Sequence, residues 1–126
     1  MKTVSQVRGQ HAEDEACRYL EQHGLKCVGR NYHCRMGEID LIMQDSKTLV
    51  FVEVRARSSS YFGRAEETIT YTKQRKIIQT AMMYLTEKGL VNRCLTRFDV
   101  LCIQGQAREI SWVKNAFEAD GYGFDG

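Results

Sequence analysis

Gly37-Glu38-Ile39-Asp40-Leu41-Ile42-Met43-Gln44-Asp45-Ser46-Lys47-Thr48-Leu49-Val50-Phe51-Val52-Glu53-Val54-Arg55-Ala56-Arg57 is the stretch on which the fold turns. Glu38 to Gln44 and Leu49 to Arg57 both alternate and are rich in strand-forming residues, while Asp45-Ser46-Lys47-Thr48 has turn chemistry. A β-hairpin is expected. Strand side chains point to alternate faces, so Glu38, Asp40 and Ile42 share one face and Ile39, Leu41 and Met43 the other. In the second strand Phe51, Glu53 and Arg55 lie opposite Val50, Val52, Val54 and Ala56, and this second, apolar face is expected to be the core. With a turn of either two or four residues, Asp40 falls opposite Glu53 and Glu38 opposite Arg55. The Asp40 and Glu53 side chains then start about 4.5–5.5 Å apart at Cβ. Facing like charges destabilise a sheet unless a cation lies between them, and Mg²⁺ suits two carboxylates completed by water and a phosphate oxygen. The plainer reading is a surface ion-pair lattice of Glu38, Asp40, Glu53 and Arg55. Against it, Phe51 and Ile42 share the charged face, which points to partial cover and makes paired carboxylates expensive.

Working outward, Ser5 to His23 carries Ala12, Ala16, Tyr19 and Leu20 at helical spacing and stops at Gly24. Its face is weakly apolar, so it is expected against a sheet edge. Lys26 to Tyr32 reads as a short strand before a turn at His33 to Gly37. Ser58 to Thr70 reads as an exposed, mobile loop. Thr72 is taken as the N-cap of a second helix whose stripe is Ile77, Ile78, Ala81, Met82 and Leu85, ending at Gly89. Arg97 to Ile103 is a fourth strand, and Glu109 to Val113 has room for a fifth. This order describes a twisted, mixed α/β sheet with a helix on each side.

The chain has 126 residues, no proline and no linker-like stretch, which is one domain's length, taken as residues 1–117 with a flexible tail at 118–126. Leu41-Ile42-Met43 and Leu49-Val50-Phe51-Val52 are far too short to cross a bilayer, and the N-terminus lacks a signal-like apolar run. A cytoplasmic protein with no membrane partner is expected. Cys17, Cys27, Cys34, Cys94 and Cys102 show no paired spacing, so they should remain thiols, and a zinc site is disfavoured. The net charge is only +2. Its distribution is uneven: Arg55, Arg57, Arg64, Lys73, Arg75 and Lys76 face only Glu66 and Glu67 over the same stretch, a bias consistent with a polyanionic partner.

Two further residues can join the hairpin acids. Glu13 lies at the edge of the first helix's inner stripe, three residues before Ala16 and seven before Leu20. Gln74 precedes Ile78 by four residues, which places its amide on the inner side of the second helix near its N-terminus.

Gly9, Glu13, Ala16, Tyr19 and Leu20, then Arg30-Asn31-Tyr32, Gly37 to Ile42, Val50 to Arg55, Lys73-Gln74 and Arg97-Phe98-Asp99-Val100 together resemble the YraN-like family of bacterial proteins over nearly the whole chain. That family is in turn similar to the PD-(D/E)XK nuclease superfamily, which includes restriction endonucleases and Holliday junction resolvases. The resemblance implies a restriction-endonuclease-like mixed β-sheet flanked by α-helices, with core order αβββαβ. It also implies roles: Asp40 as metal-binding aspartate, Glu53 as the acid of the ExK element, Arg55 in place of that element's lysine, Glu13 as helix-borne glutamate and Gln74 as accessory glutamine. Arg55 departs from the pattern, because a guanidinium does not give up its proton. Ala12, where the family often has glycine, is compatible with a helix.

The leading expectation is therefore a Mg²⁺- or Mn²⁺-dependent endonuclease acting on DNA, with structured or branched DNA as the implied substrate and a homodimer as the implied assembly. Asp40, Glu53 and Glu13 would bind metal, Arg55 and Gln74 would serve catalysis, and Arg57, Arg64, Lys73, Arg75 and Lys76 would grip the backbone. The alternatives are a non-catalytic nucleic-acid-binding module on the same fold and an adaptor in which the charges only stabilise the hairpin.

Overall fold

In the computed structural model, which describes residues 4–57 and 69–119, the hairpin forms around a two-residue turn. Strand β2 (Gly37–Asp45) pairs antiparallel with β3 (Thr48–Arg57) from Asp45↔Thr48 to Leu41↔Val52, with Ser46 at φ 56 in the turn. Strand β1 (Lys26–Cys34) adds antiparallel to β2, with a register shift between Cys27 and Gly29. Strand β4 (Leu95–Gln104) runs parallel to β3, and β5 (Glu109–Val113) pairs antiparallel with β4. The sheet order is β1-β2-β3-β4-β5. A parallel β3/β4 pair requires a crossover, and helix α2 (Tyr71–Glu87) provides it. Helix α1 (Val4–Gln22) covers the opposite face. This is a mixed α/β sheet flanked by helices.

Both faces are core, not one. On the α1 side, Ala12, Ala16 and Leu20 close over Leu41, Met43, Val50, Val52, Leu101 and Ile103. On the α2 side, Ile77, Ile78, Ala81 and Leu85 pack on Ile42, Phe51, Phe98, Val100 and Cys102. The side of β3 that carries Phe51 and Glu53 is therefore covered by α2, more fully than the partial cover to which Phe51 and Ile42 pointed. Helix α1 also lies over the middle of the sheet and not at its edge, because alanines let its backbone approach closely and little apolar area is needed to seal the contact. Alternation breaks at Asp40: Ile39 joins the α2-side core with Ile42 and leaves Leu41 and Met43 on the other side.

Helix boundaries follow capping chemistry. Thr70, not Thr72, is the N-cap of α2, and its hydroxyl oxygen accepts the Lys73 N–H at 3.1 Å. Tyr84 takes the buried place expected for Met82, which is only partly covered. Both helices close on a left-handed glycine, Gly24 at φ 92 and Gly89 at φ 67, with Leu25 N–H returning to the Leu20 carbonyl and Leu90 N–H to that of Leu85. All five cysteines are free. Among the described residues no helix is long and apolar enough to cross a membrane. The loop expected at Ser58 to Thr70 falls outside the described residues over 58–68, as does most of the expected tail, 120–126.

Behind β4 lies a buried polar hub. The Asp99 carboxylate, fully enclosed, accepts from Arg97 Nε (2.9 Å), Trp112 Nε1 (2.9 Å) and the Asn115 N–H (2.9 Å), while Arg97 reaches on to Asp45 at 3.1 Å. One carboxylate thus ties β4 to β5 and to the segment after it, and its arginine ties both to the hairpin turn. Every oxygen is satisfied, so the burial of this charge is tolerated.

Candidate functional site

The β2/β3 ladder ends after Leu41↔Val52, one residue short of Asp40 and Glu53. There the Val54 N–H donates to Oδ2 of Asp40 at 2.8 Å. The hairpin register is the one expected, and Asp40 follows directly after the last pair, but the aspartate side chain replaces the next backbone rung. Glu38 does not meet Arg55 in the ladder; it is exposed and pairs across β1 with His33.

Asp40 is partly buried. Burial first, and then the neighbouring Glu53 carboxylate, push its pKa up to about 7, against the lowering pull of the Val54 N–H. Glu13 and Glu38 add smaller pushes in the same direction, so the field of Glu13 on α1 does reach Asp40. Glu53 is buried, 7% exposed, and its Oε1 lies 3.1 Å from Lys73 Nζ and 4.0 Å from Arg55 Nε.

Glu13, on α1, is the third acid of this group by its effect on Asp40. Its pKa is raised, chiefly by burial, with Asn31 and Arg30 pulling it down. Oε1 of Glu13 is buried without a hydrogen-bond donor, its nearest cation being Arg30 at 3.9 Å, and Arg30 is engaged more closely by Asp14 at 2.6 Å. Arg30 and Asn31 were not among the candidate site residues, although both belong to the run that carries the family resemblance; the only local sign is that asparagine tolerates the left-handed φ of 52 adopted at position 31.

Among the described residues no three His, Cys, Asp or Glu side chains are gathered closely enough to hold a metal ion. The Asp40 and Glu53 pair nevertheless fits a hard divalent cation in kind, since Mg²⁺ commonly takes one or two carboxylates and completes its shell with water and substrate phosphate. The buried Oε1 of Glu13, without a donor, fits the same chemistry in kind.

The remaining candidates separate. Gln74 lies on the inner side of α2, but its amide nitrogen donates to the Ile69 carbonyl at 3.0 Å and so holds the entry to the helix. Lys73, expected on the outer grip, turns inward to Glu53. Arg75 and Lys76 are exposed on α2, Arg75 lying over the Tyr71 ring at 6.0 Å. Arg57 continues the Glu53 and Arg55 face at the end of β3. Arg64 lies outside the described residues. A cavity of about 360 Å³ between β1 and the end of α2 shares Arg30 and Asn31 with the surroundings of Glu13, but none of the three acids lines it.

Residues 12–103, which contain every one of these acids and bases, match the family described as Uncharacterised protein family UPF0102. The chain belongs to the UPF0102 family. This is the family to which the sequence showed its YraN-like resemblance. A UPF0102 protein of Legionella pneumophila is 47% identical, over 92% of this chain and 98% of its own length. Those of Janthinobacterium and Aliivibrio salmonicida are 47% and 45% identical, covering 94% and 91% of this chain and 93% and 94% of theirs. The UPF0102 match ends at position 103, so β5 and the Asn115 end of the Asp99 hub lie beyond it.

Proposed function

We propose that this UPF0102 protein is a Mg²⁺- or Mn²⁺-dependent nuclease that acts on DNA phosphodiester bonds, with structured or branched DNA as its substrate. One observation carries the reading: a partly buried Asp40 and a buried Glu53 stand next to one another where a hairpin ladder stops, and burial together with Glu53 raises the pKa of Asp40 to about 7. A fold retains such a pair at a net cost in stability when the pair has work to do.

Asp40 and Glu53 would hold the metal, with Glu13 contributing from α1. A divalent ion bound there supplies activation of water and neutralises charge on the scissile phosphate. Arg55, beside Glu53, meets the negative charge that develops on the phosphoryl oxygens. Gln74 fixes the start of α2 through Ile69, which sets the position of the basic residues that follow. Arg57, Arg64, Arg75 and Lys76 contact the DNA backbone without reading sequence.

A second reading, a nucleic-acid-binding module without catalysis, is favoured by one feature: Glu53 already has a cationic partner in Lys73. The two are separated by titrating Mg²⁺ or Mn²⁺ into wild type and Asp40→Ala with linear, flapped and four-way DNA present. Metal-dependent cleavage that Asp40→Ala abolishes supports the nuclease. DNA binding by wild type, with no cleavage of any substrate, supports the module.

A further inference from the structure

Lys73 has an unusual position for a residue of a basic stretch. Its backbone is fixed in the first turn of α2 by the Thr70 cap, yet its side chain, 44% exposed, ends 3.1 Å from an oxygen of Glu53, which is 7% exposed. A half-open ammonium therefore neutralises a buried carboxylate. Arg55 is the second cation near the same oxygen, but at 4.0 Å its Nε is beyond hydrogen-bonding distance.

A divalent cation and an ammonium compete for such a carboxylate. They share its negative charge as a ligand and repel one another, and the repulsion is screened poorly at a buried group. The flexible four-carbon stem of lysine allows it to leave without moving the helix, which a rigid guanidinium fork would do less readily. Once displaced, the ammonium remains tethered at the rim of the same site and needs an anion.

We propose that Lys73 is a place-holder for the divalent ion on Glu53 and, once released, a ligand of the substrate phosphate, so that metal and DNA each promote binding of the other. This rests on the nuclease reading of the site. Coupling of this kind is reciprocal: the factor by which metal tightens DNA binding is the factor by which DNA tightens metal binding. Lys73 thus links the acidic site to the backbone grip.

The test measures Mn²⁺ binding to the full chain by electron paramagnetic resonance of free Mn²⁺, without DNA, for wild type, Lys73→Met, Lys73→Gln and Asp40→Ala. It is paired with fluorescence anisotropy of a labelled duplex in EDTA and in Ca²⁺. Both lysine variants should bind Mn²⁺ about three- to tenfold more tightly than wild type, as expected for removing a competing partly exposed ion pair. They should also lose most of the Ca²⁺-dependent gain in DNA affinity. If Mn²⁺ binds wild type and both lysine variants equally, while Asp40→Ala abolishes binding, the place-holder role is overturned and the nuclease site stands. If Mn²⁺ binds none of the proteins, the metal site and the place-holder role fall together. Weaker Mn²⁺ binding in both lysine variants, with unchanged melting temperature, would show Lys73 to be a supporting group of the site and would equally overturn the proposal.

Discussion

Oδ2 of Asp40 accepts the N–H of Val54 at 2.8 Å, so the aspartate is anchored to the backbone of the strand that carries Glu53. The strand that carries Glu53 thus also fixes the position of the Asp40 carboxylate. This has a direct consequence for stability. Burial and Glu53 raise the Asp40 pKa to about 7 in the folded chain, whereas the unfolded chain releases that proton near the ordinary aspartate value of 3.8. Between those limits the folded state binds more protons, so stability in EDTA should fall as pH rises from about 4 to about 7. Asp40→Asn keeps an oxygen for Val54 and removes the charge. It should flatten that fall and stabilise the metal-free protein by on the order of 2 kcal/mol at pH 8. Urea unfolding of both proteins at pH 5 and pH 8 checks it; equal losses with pH in the two would show that Asp40 is not the strained group.

Arg55 distinguishes an active site from a relic. If it acts by charge alone, Arg55→Lys should retain measurable metal-dependent cleavage, while Arg55→Ala should lose about two to three orders of magnitude in rate. Single-turnover cleavage rates decide this. A gain of activity in Arg55→Lys over an inert wild type would mean that arginine had disabled the site.

The outer grip should show itself in salt dependence. Arg75 and Lys76 are exposed on α2, where they can meet phosphates without disturbing the core. Reversing both to glutamate should weaken DNA binding at low salt and reduce the slope of log affinity against log salt by about 2. Anisotropy titrations between low and physiological salt measure that slope; an unchanged slope would make this end of α2 a solvated face.

The Asp99 hub predicts a purely structural effect. Its carboxylate accepts from Arg97, Trp112 and the Asn115 main chain with no exposure to solvent. Asp99→Ala would leave Arg97 with Asp45 as its remaining acidic partner and the other donors without an acceptor, and should destabilise the fold by about 3–5 kcal/mol. Chemical denaturation followed by Trp112 fluorescence reads this loss. Mn²⁺ binding by the fraction still folded should be unaltered, because none of the hub's residues is among the candidate site residues.

The sequence by itself determined the elements and the pairing that brings the acids together. Alternation marked β2 and β3, and a turn of either two or four residues set the same register, since a one-residue slip would exchange every side chain between the faces. That is local information, written in periods of two and in glycine stops such as Gly24 and Gly89. Tertiary structure decided the rest. The break in alternation that moves Ile39 to the α2 side, the position of α1 over the sheet centre, the cover over Glu53 and the inward turn of Lys73 all depend on which distant surfaces meet. Even the α2 cap at Thr70 in place of Thr72 belongs here, because both threonines have capping chemistry and the side chain that meets Lys73 N–H is selected by where the crossover enters the helix. Lys73 shows the physical reason most plainly: a lysine in a basic stretch has many favourable rotamers in water, and it is the buried, otherwise costly charge of Glu53, distant in sequence and close in space, that selects one of them.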